Sequence, residues 1–107
     1  MKRIGVIGSG SWGMALALQL NKNGNDVKVW SYCQDEANFI NNEHKCIYLQ
    51  SVTIPDEIVC YTNFEDVVKD SDIVLIVTPS NAIRNTLVSL KPYTNENQTF
   101  VLCSKGM

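Results

Sequence analysis

Three glycines near the amino terminus constrain this chain more than any other feature. They stand at Gly8, Gly10 and Gly13, the spacing G-x-G-x-x-G. The apolar run Ile4 to Ile7 before them reads as a buried parallel strand. Met14, Ala15, Leu16, Ala17, Leu18 and Leu20 after them read as a helix buried over much of its surface. Each glycine has a mechanical role in that setting. Gly8 lets the chain turn sharply out of the strand. Gly10 has no Cβ, so a diphosphate can approach the backbone. Gly13 lets the helix pack closely on the strand. The first N–H groups of the helix lack internal partners and lie at the positive end of its dipole, which suits an anion. The same spacing elsewhere is only a tight turn; between a strand and a helix it predicts a dinucleotide site.

The rest of the chain repeats the strand-then-helix pattern. The first strand runs from Lys2 to Ile7, and the helix from Ser11 to Asn23 stops on Gly24. Val27 to Trp30 is the second strand. Gln34 to Glu43 is the second helix, with Ala37, Phe39 and Ile40 on its apolar side and Asn41-Asn42 closing it. Cys46 to Ile54 is irregular. Glu57 to Thr62 forms a third strand, and Asn63 caps a short helix from Phe64 to Lys69, with Asp66 completing an imperfect capping box. Ile73 to Val77 is the fourth strand. Ser80 or Asn81 caps a helix to Leu90 with Ile83, Leu87, Val88 and Leu90 as its apolar side, and Pro92 ends it. Thr99 to Cys103 is the fifth strand. This alternation predicts one doubly wound α/β domain with right-handed crossovers, helices on both faces and a parallel sheet in the order 3-2-1-4-5. Ligands of such sheets bind beyond the carboxyl ends of the strands, near the switch between strands 1 and 4. The candidate site is therefore Ser9 to Trp12, Ser31 to Cys33, Thr78 to Ser80, and Ser104-Lys105.

Composition removes several classes of function. The 107 residues suffice for one domain with one core. Nine basic and eleven acidic residues leave a net charge of −2, which gives no support for nucleic-acid or anionic-membrane binding. Apolar stretches are too short to span a bilayer. The first strand begins almost at once and leaves no room for a leader, so a cytoplasmic location is expected. Cys33, Cys46, Cys60 and Cys103 contain no C-x-x-C pair, so no zinc site is expected. Free thiols suit a reducing compartment, with Cys60 and Cys103 buried in strands. His44 stands in a polar stretch, and no Ser-His-Asp or Cys-His constellation can be assembled around it.

The motifs together carry a resemblance. Gly8-Ser9-Gly10-Ser11-Trp12-Gly13-Met14-Ala15-Leu16-Ala17 resembles the opening of bacterial NAD(P)-dependent glycerol-3-phosphate dehydrogenases, usually G-x-G-S-W-G-T-A-L-A. Tyr48-Leu49 and Ile54-Pro55 match part of that family's Y-L-P-G-I-x-L-P, with Gln50-Ser51 in place of Pro-Gly. Asp72 to Val77 followed by Pro79-Ser80 is similar to its D-I-I-x-x-A-V-P-S, and Ser104-Lys105-Gly106 to its S-K-G. The similarity covers essentially the whole chain in family order and spacing. It implies a Rossmann-type domain, NAD or NADP as cofactor, and reversible hydride transfer between glycerol 3-phosphate and dihydroxyacetone phosphate for phospholipid synthesis. Family proteins are considerably longer, with a helical second domain that carries a lysine base and most of the substrate pocket. The chain is thus expected to be an N-terminal fragment, inactive alone, of a homodimeric enzyme. A free-standing nucleotide-binding or sensing module and a related Rossmann dehydrogenase are the alternatives.

Residue roles follow the matched positions. Gly8, Ser9, Gly10, Ser11, Trp12 and Gly13 are implied cofactor contacts; Trp12 also suits a core aromatic under the helix. Pro79 and Ser80 are implied to line the nicotinamide side, although Ser80 equally suits a helix cap. Lys105 is implied to contact substrate and cofactor without serving as the base. Coenzyme choice usually rests on the end of the second strand. There the chain reads Trp30-Ser31-Tyr32-Cys33, with Tyr32 where the family often has arginine. The Ser31 and Tyr32 hydroxyls are the candidate contacts, and weak discrimination between NAD and NADP is expected. Loss of cover beside the fifth strand would leave an edge prone to association.

Overall fold

The computed structural model describes residues 2–8, 11–45, 53–78 and 82–103. Five strands are β1 (Arg3–Ile7), β2 (Asp26–Trp30), β3 (Val59–Tyr61), β4 (Ile73–Ile76) and β5 (Thr99–Leu102). The α-helices are α1 (Ser11–Lys22), α2 (Gln34–Glu43), α3 (Phe64–Val68) and α4 (Ile83–Leu90). The sheet is parallel throughout, in the expected order β3-β2-β1-β4-β5. Its two faces divide the apolar residues by the period of two. Ile4 and Val6 of β1 and Leu75 of β4 join Met14, Ala17, Ala37 and Ile40 on the α1–α2 face. Ile7, Val74 and Ile76 join Val67, Val68 and Leu90 on the α3–α4 face.

Local chemistry explains where the elements stop. Gly24 follows α1 with a φ of 92°, the left-handed conformation that a helix end favours. Helix α2 ends at Glu43, the expected bound, but Asn41-Asn42 is not what closes it. His44 ends it at φ 56°, and its N–H donates to the Ile40 carbonyl. Asn41 has other work inside the helix. Its Nδ2 donates to the Cys60 carbonyl at 2.9 Å, and its Oδ1 accepts the Cys60 N–H at 2.8 Å. One side-chain amide thus pairs with the backbone of β3, which is shorter than its sequence suggests. Asn63 caps α3 by accepting the Asp66 N–H at 2.8 Å, while its own amide donates to the Asp66 carboxylate. The return bond of a capping box goes to the cap's backbone N–H; here the shorter Asp makes it to the cap's side chain.

Helix α4 departs furthest from its expected packing. Its buried residues are Thr86 and Leu90, whereas Leu87 and Val88 are 38% and 67% exposed. Thr86 tolerates burial because its hydroxyl donates to the Ala82 carbonyl at 2.8 Å. The α-helix stops at Leu90 and tightens into a 3₁₀ turn over Lys91–Tyr93, where Pro92 needs no N–H donor. Ser80 and Asn81, the expected caps, lie outside the described residues. All four residues of β5 are exposed.

Candidate functional site

The site grows from the way five strand ends converge. Beyond β1, the Gly8 N–H donates to the Trp30 carbonyl at 3.1 Å, and the Val77 N–H donates to Ile7 at 2.9 Å. Similar bonds tie Ser31 to Tyr61 and Cys103 to Ile76, both at 2.8 Å. The sheet's hydrogen bonding therefore continues one residue past β1, β2, β4 and β5, and holds the turn residues in register. The point between β1 and β4 is where the order of strands reverses, the place where sheets of this kind bind their ligands.

Gly8 takes a φ of 135°, a conformation L side chains rarely adopt. A Cβ there would also stand 3.1 Å from the Val77 carbonyl oxygen. Gly13 is tighter. A Cβ at Gly13 would fall 2.2 Å from the Gly8 carbonyl oxygen and 2.9 Å from its carbon. Only hydrogen fits between the first turn of α1 and the end of β1. This contact brings the helix start against the turn, and no acidic residue stands in that first turn to oppose an anion. A helix start without a first-turn acid suits an anion by sign of charge.

Trp12 spans this end of the sheet. Its indole Nε1 donates to the Cys103 carbonyl at 2.7 Å, while 44% of the residue stays exposed. It is a bridge from α1 to the end of β5 rather than a core aromatic. The Cys103 thiol, partly buried beside it, has a pKa raised by that burial.

At the end of β2, Ser31 is buried and its hydroxyl is already engaged. Oγ accepts the Cys33 N–H at 3.1 Å, and its one proton is shared between Glu36 Oε1 at 3.2 Å and the Cys33 carbonyl at 3.3 Å. Tyr32 projects from the same turn, 83% exposed. Glu36 in the first turn of α2 is 8% exposed. Sequence order alone hides this residue, because it stands beyond the strand end; the turn and the helix bring it back under Ser31. The signal was available as an acid three residues after the Cys33 cap. Thr78, at the end of β4, is buried, and its hydroxyl has no partner among the described residues.

Of the expected contacts, the fold brings Gly8, Trp12, Gly13, Ser31 and Tyr32 to one end of the sheet, where the backbone of Ser11 begins α1. Ser9, Gly10, Pro79, Ser80 and Lys105 lie outside the described residues. Among the described residues no group of His, Cys, Asp and Glu could hold a metal ion, and no helix is long and apolar enough to cross a membrane.

The profile of the family described as NAD-dependent glycerol-3-phosphate dehydrogenase N-terminus matches residues 3–107. The chain belongs to this family. It is 39% identical over 108 aligned positions to a glycerol-3-phosphate dehydrogenase [NAD(P)+] of Agathobacter rectalis, covering all of this chain and 32% of that protein. A Bacillus anthracis relative of the same name is 40% identical, with the same coverage. The solved glycerol-3-phosphate dehydrogenase of Coxiella burnetii superposes with a TM-score of 0.92 at 30% identity, over 99% of this chain and 33% of that one. The yeast enzyme gives 0.87 at 27%, over 98% of this chain and 34% of the enzyme. The chain spans about a third of the length of the curated relatives it matches. The fold and the NAD or NADP cofactor class of this family are those the motifs imply.

Proposed function

We propose that this chain is the coenzyme-holding part of an NAD(P)-dependent glycerol-3-phosphate dehydrogenase. The whole enzyme interconverts sn-glycerol 3-phosphate and dihydroxyacetone phosphate by hydride transfer and feeds glycerophospholipid synthesis. The observation that carries this reading is the seating of Gly13 on the Gly8 carbonyl, where a Cβ would come within 2.2 Å. It presents the α1 N-terminus at the switch point of the sheet.

When bound, NAD or NADP supplies the hydride acceptor or donor. Gly8, Ser9, Gly10, Ser11 and Gly13 shape the diphosphate cradle, and Trp12 closes it toward β5. Tyr32 flanks the adenosine side, and Ser31 sets the turn from which it projects. Pro79 and Ser80 line the nicotinamide side. Lys105 holds substrate and coenzyme by charge, and an ordinary lysine, protonated at neutral pH, suits that task better than proton abstraction. We assign no general base to residues 1–107. We take the whole enzyme to be a cytoplasmic homodimer, and the exposed β5 edge to allow association of this chain by itself.

The test is titration of residues 1–107 with NAD and NADP up to millimolar concentration, following amide resonances. Shifts centred on Gly8 to Gly13 support the reading, and no perturbation there overturns it. Oxidation of reduced coenzyme with dihydroxyacetone phosphate should be absent for residues 1–107 alone, because positioning of the substrate is worth roughly 7–11 kcal/mol and depends on the remainder of the pocket.

A further inference from the structure

One side chain joins the start of α1 to the end of β5, 91 residues further along the chain. Trp12 Nε1 donates to the Cys103 carbonyl at 2.7 Å, at the short end of the range for N–H···O bonds. An indole has one donor and no acceptor, so this bond engages the only polar group of that side chain. In the order β3-β2-β1-β4-β5 the strand β5 lies two places from β1, about 10 Å at the usual spacing of sheet strands. Both ends of the bond are fixed. Trp12 precedes Gly13, which is seated so closely on the Gly8 carbonyl that a Cβ would fall 2.2 Å from its oxygen. The Cys103 N–H donates to the Ile76 carbonyl at 2.8 Å.

Strand β5 needs such a tie. Among the described residues it pairs only with β4, and all four of its residues are exposed. A strand end with little buried apolar surface opens easily. Lys105 stands two residues beyond Cys103 in the sequence, so its Cα stays within about 7 Å of the Cys103 Cα whatever path the chain takes. A lysine on an untied strand end loses backbone and side-chain freedom when it grips a ligand, and that loss weakens the grip. A tie already made in the free protein removes part of it.

We propose that Trp12 is a positioning residue for Lys105. Its bond to the Cys103 carbonyl holds the segment that carries the lysine at a set distance from the glycine turn, so that the start of α1 and the Lys105 ammonium engage one ligand together. The inference rests on the reading that the chain holds a dinucleotide and that Lys105 contacts it. It goes beyond that reading because it gives the indole N–H a task that is performed through another residue.

The experiment titrates the full 107-residue chain with NAD and follows amide resonances, for the wild type, Trp12→Phe, Lys105→Ala and the double variant. Phenylalanine keeps an aromatic ring and removes the N–H. Lys105→Ala should weaken NAD about tenfold, as loss of a hydrogen bond from a charged group does. Trp12→Phe, which loses one neutral hydrogen bond, should weaken it at least about threefold. The double variant should stay within about twofold of Lys105→Ala, because Trp12 acts through the lysine. A ring that only packs, or that touches coenzyme by itself, would make the two losses multiply. Amide exchange is the second readout. Bound NAD should slow exchange at Gly8 to Gly13 and at Ser104 to Gly106 in the wild type, but only at Gly8 to Gly13 in Trp12→Phe. Circular dichroism checks folding; if Trp12→Phe does not fold, Trp12→benzothienylalanine, with sulfur in place of the N–H, replaces it in both measurements. Losses that multiply, or a wild-type response of Ser104 to Gly106 in the Trp12 variant, overturn the proposal. Wild-type affinity of Lys105→Ala overturns it through the role given to the lysine. No response of the wild type to NAD instead overturns the dinucleotide reading on which it stands.

Discussion

Replacing Gly13 by alanine separates two opposing effects whose sizes can be estimated. Alanine favours a helix over glycine by about 1 kcal/mol. Against that gain, the new Cβ meets backbone atoms, the Gly8 oxygen at 2.2 Å and carbon at 2.9 Å. Neither can swing away as a side-chain tip can. Ordinary contact requires α1 to retreat from β1 by roughly 1 Å. A gap of that size forfeits a quarter to a half of each dispersion contact it opens, here between Met14 and Ala17 of α1 and Ile4 and Val6 of β1. Overpacking of this kind costs about 1–3 kcal/mol, and a backbone obstacle places it at the upper end. The net effect should be a loss of about 2 kcal/mol, which lowers the urea midpoint by about 1–2 M for a domain of this size. Coenzyme affinity should fall at least about tenfold, because charge-assisted hydrogen bonds to the diphosphate are misplaced. Gly24→Ala is the control. Its φ of 92° penalises alanine, but open space surrounds it, so about 1 kcal/mol should be lost with no effect on coenzyme. Wild-type or greater stability of Gly13→Ala, with coenzyme affinity intact, would refute a close contact between α1 and the glycine turn.

Other expectations are as specific. Asn41→Ala should cost about 2 kcal/mol in urea titrations, since it removes both hydrogen bonds to the Cys60 backbone on the short strand β3. Thr78→Val should stabilise the free protein by about 1 kcal/mol, because it removes a buried hydroxyl without a partner among the described residues; a lower melting temperature would refute this. Asp72 is held below the usual carboxylate range, first by the Arg3 N–H at 2.9 Å and then by the Arg3 guanidinium at 3.2 Å. Its folded pKa lies below the unfolded 3.8, so its contribution is present above that pH and is lost as pH falls through the folded value. Asp72→Asn should therefore flatten the loss of stability as pH falls below 3.8. Finally, residues 1–107 should associate with increasing concentration through β5, and Val101→Lys should reduce this in sedimentation runs.

Elements whose residues carry several constraints at once are legible in the sequence, and those with few are not. Strands β1 and β4 were legible because a strand covered on both faces is apolar at every position, and little else gives Ile73-Val74-Leu75-Ile76. The glycine turn was legible because its spacing fits few backbone paths. Helix α4 was not. An apolar residue on a helix flanking a terminal strand can face the sheet or project past it, and the period of 3.6 does not say which. Leu87 and Val88 project, with Phe100, Val101 and Leu102 exposed on the neighbouring strand. An apolar groove of about 350 Å³ lies between Leu87, Val88, Leu90, Lys91, Thr94 and Phe100. The buried position went instead to Thr86, whose hydroxyl is satisfied within its own helix. Asn41 and Glu36 were hidden for a related reason. Each is a polar residue whose partner lies on another element, so neither residue type nor local spacing announces its role. Glu36 shows the consequence for a binding site. The residues lining a strand end are not only those that follow it directly, because the first turn of the next helix folds back over the same corner. A polar residue in that turn, Glu36, meets Ser31 at the strand end even though several positions separate the two in sequence.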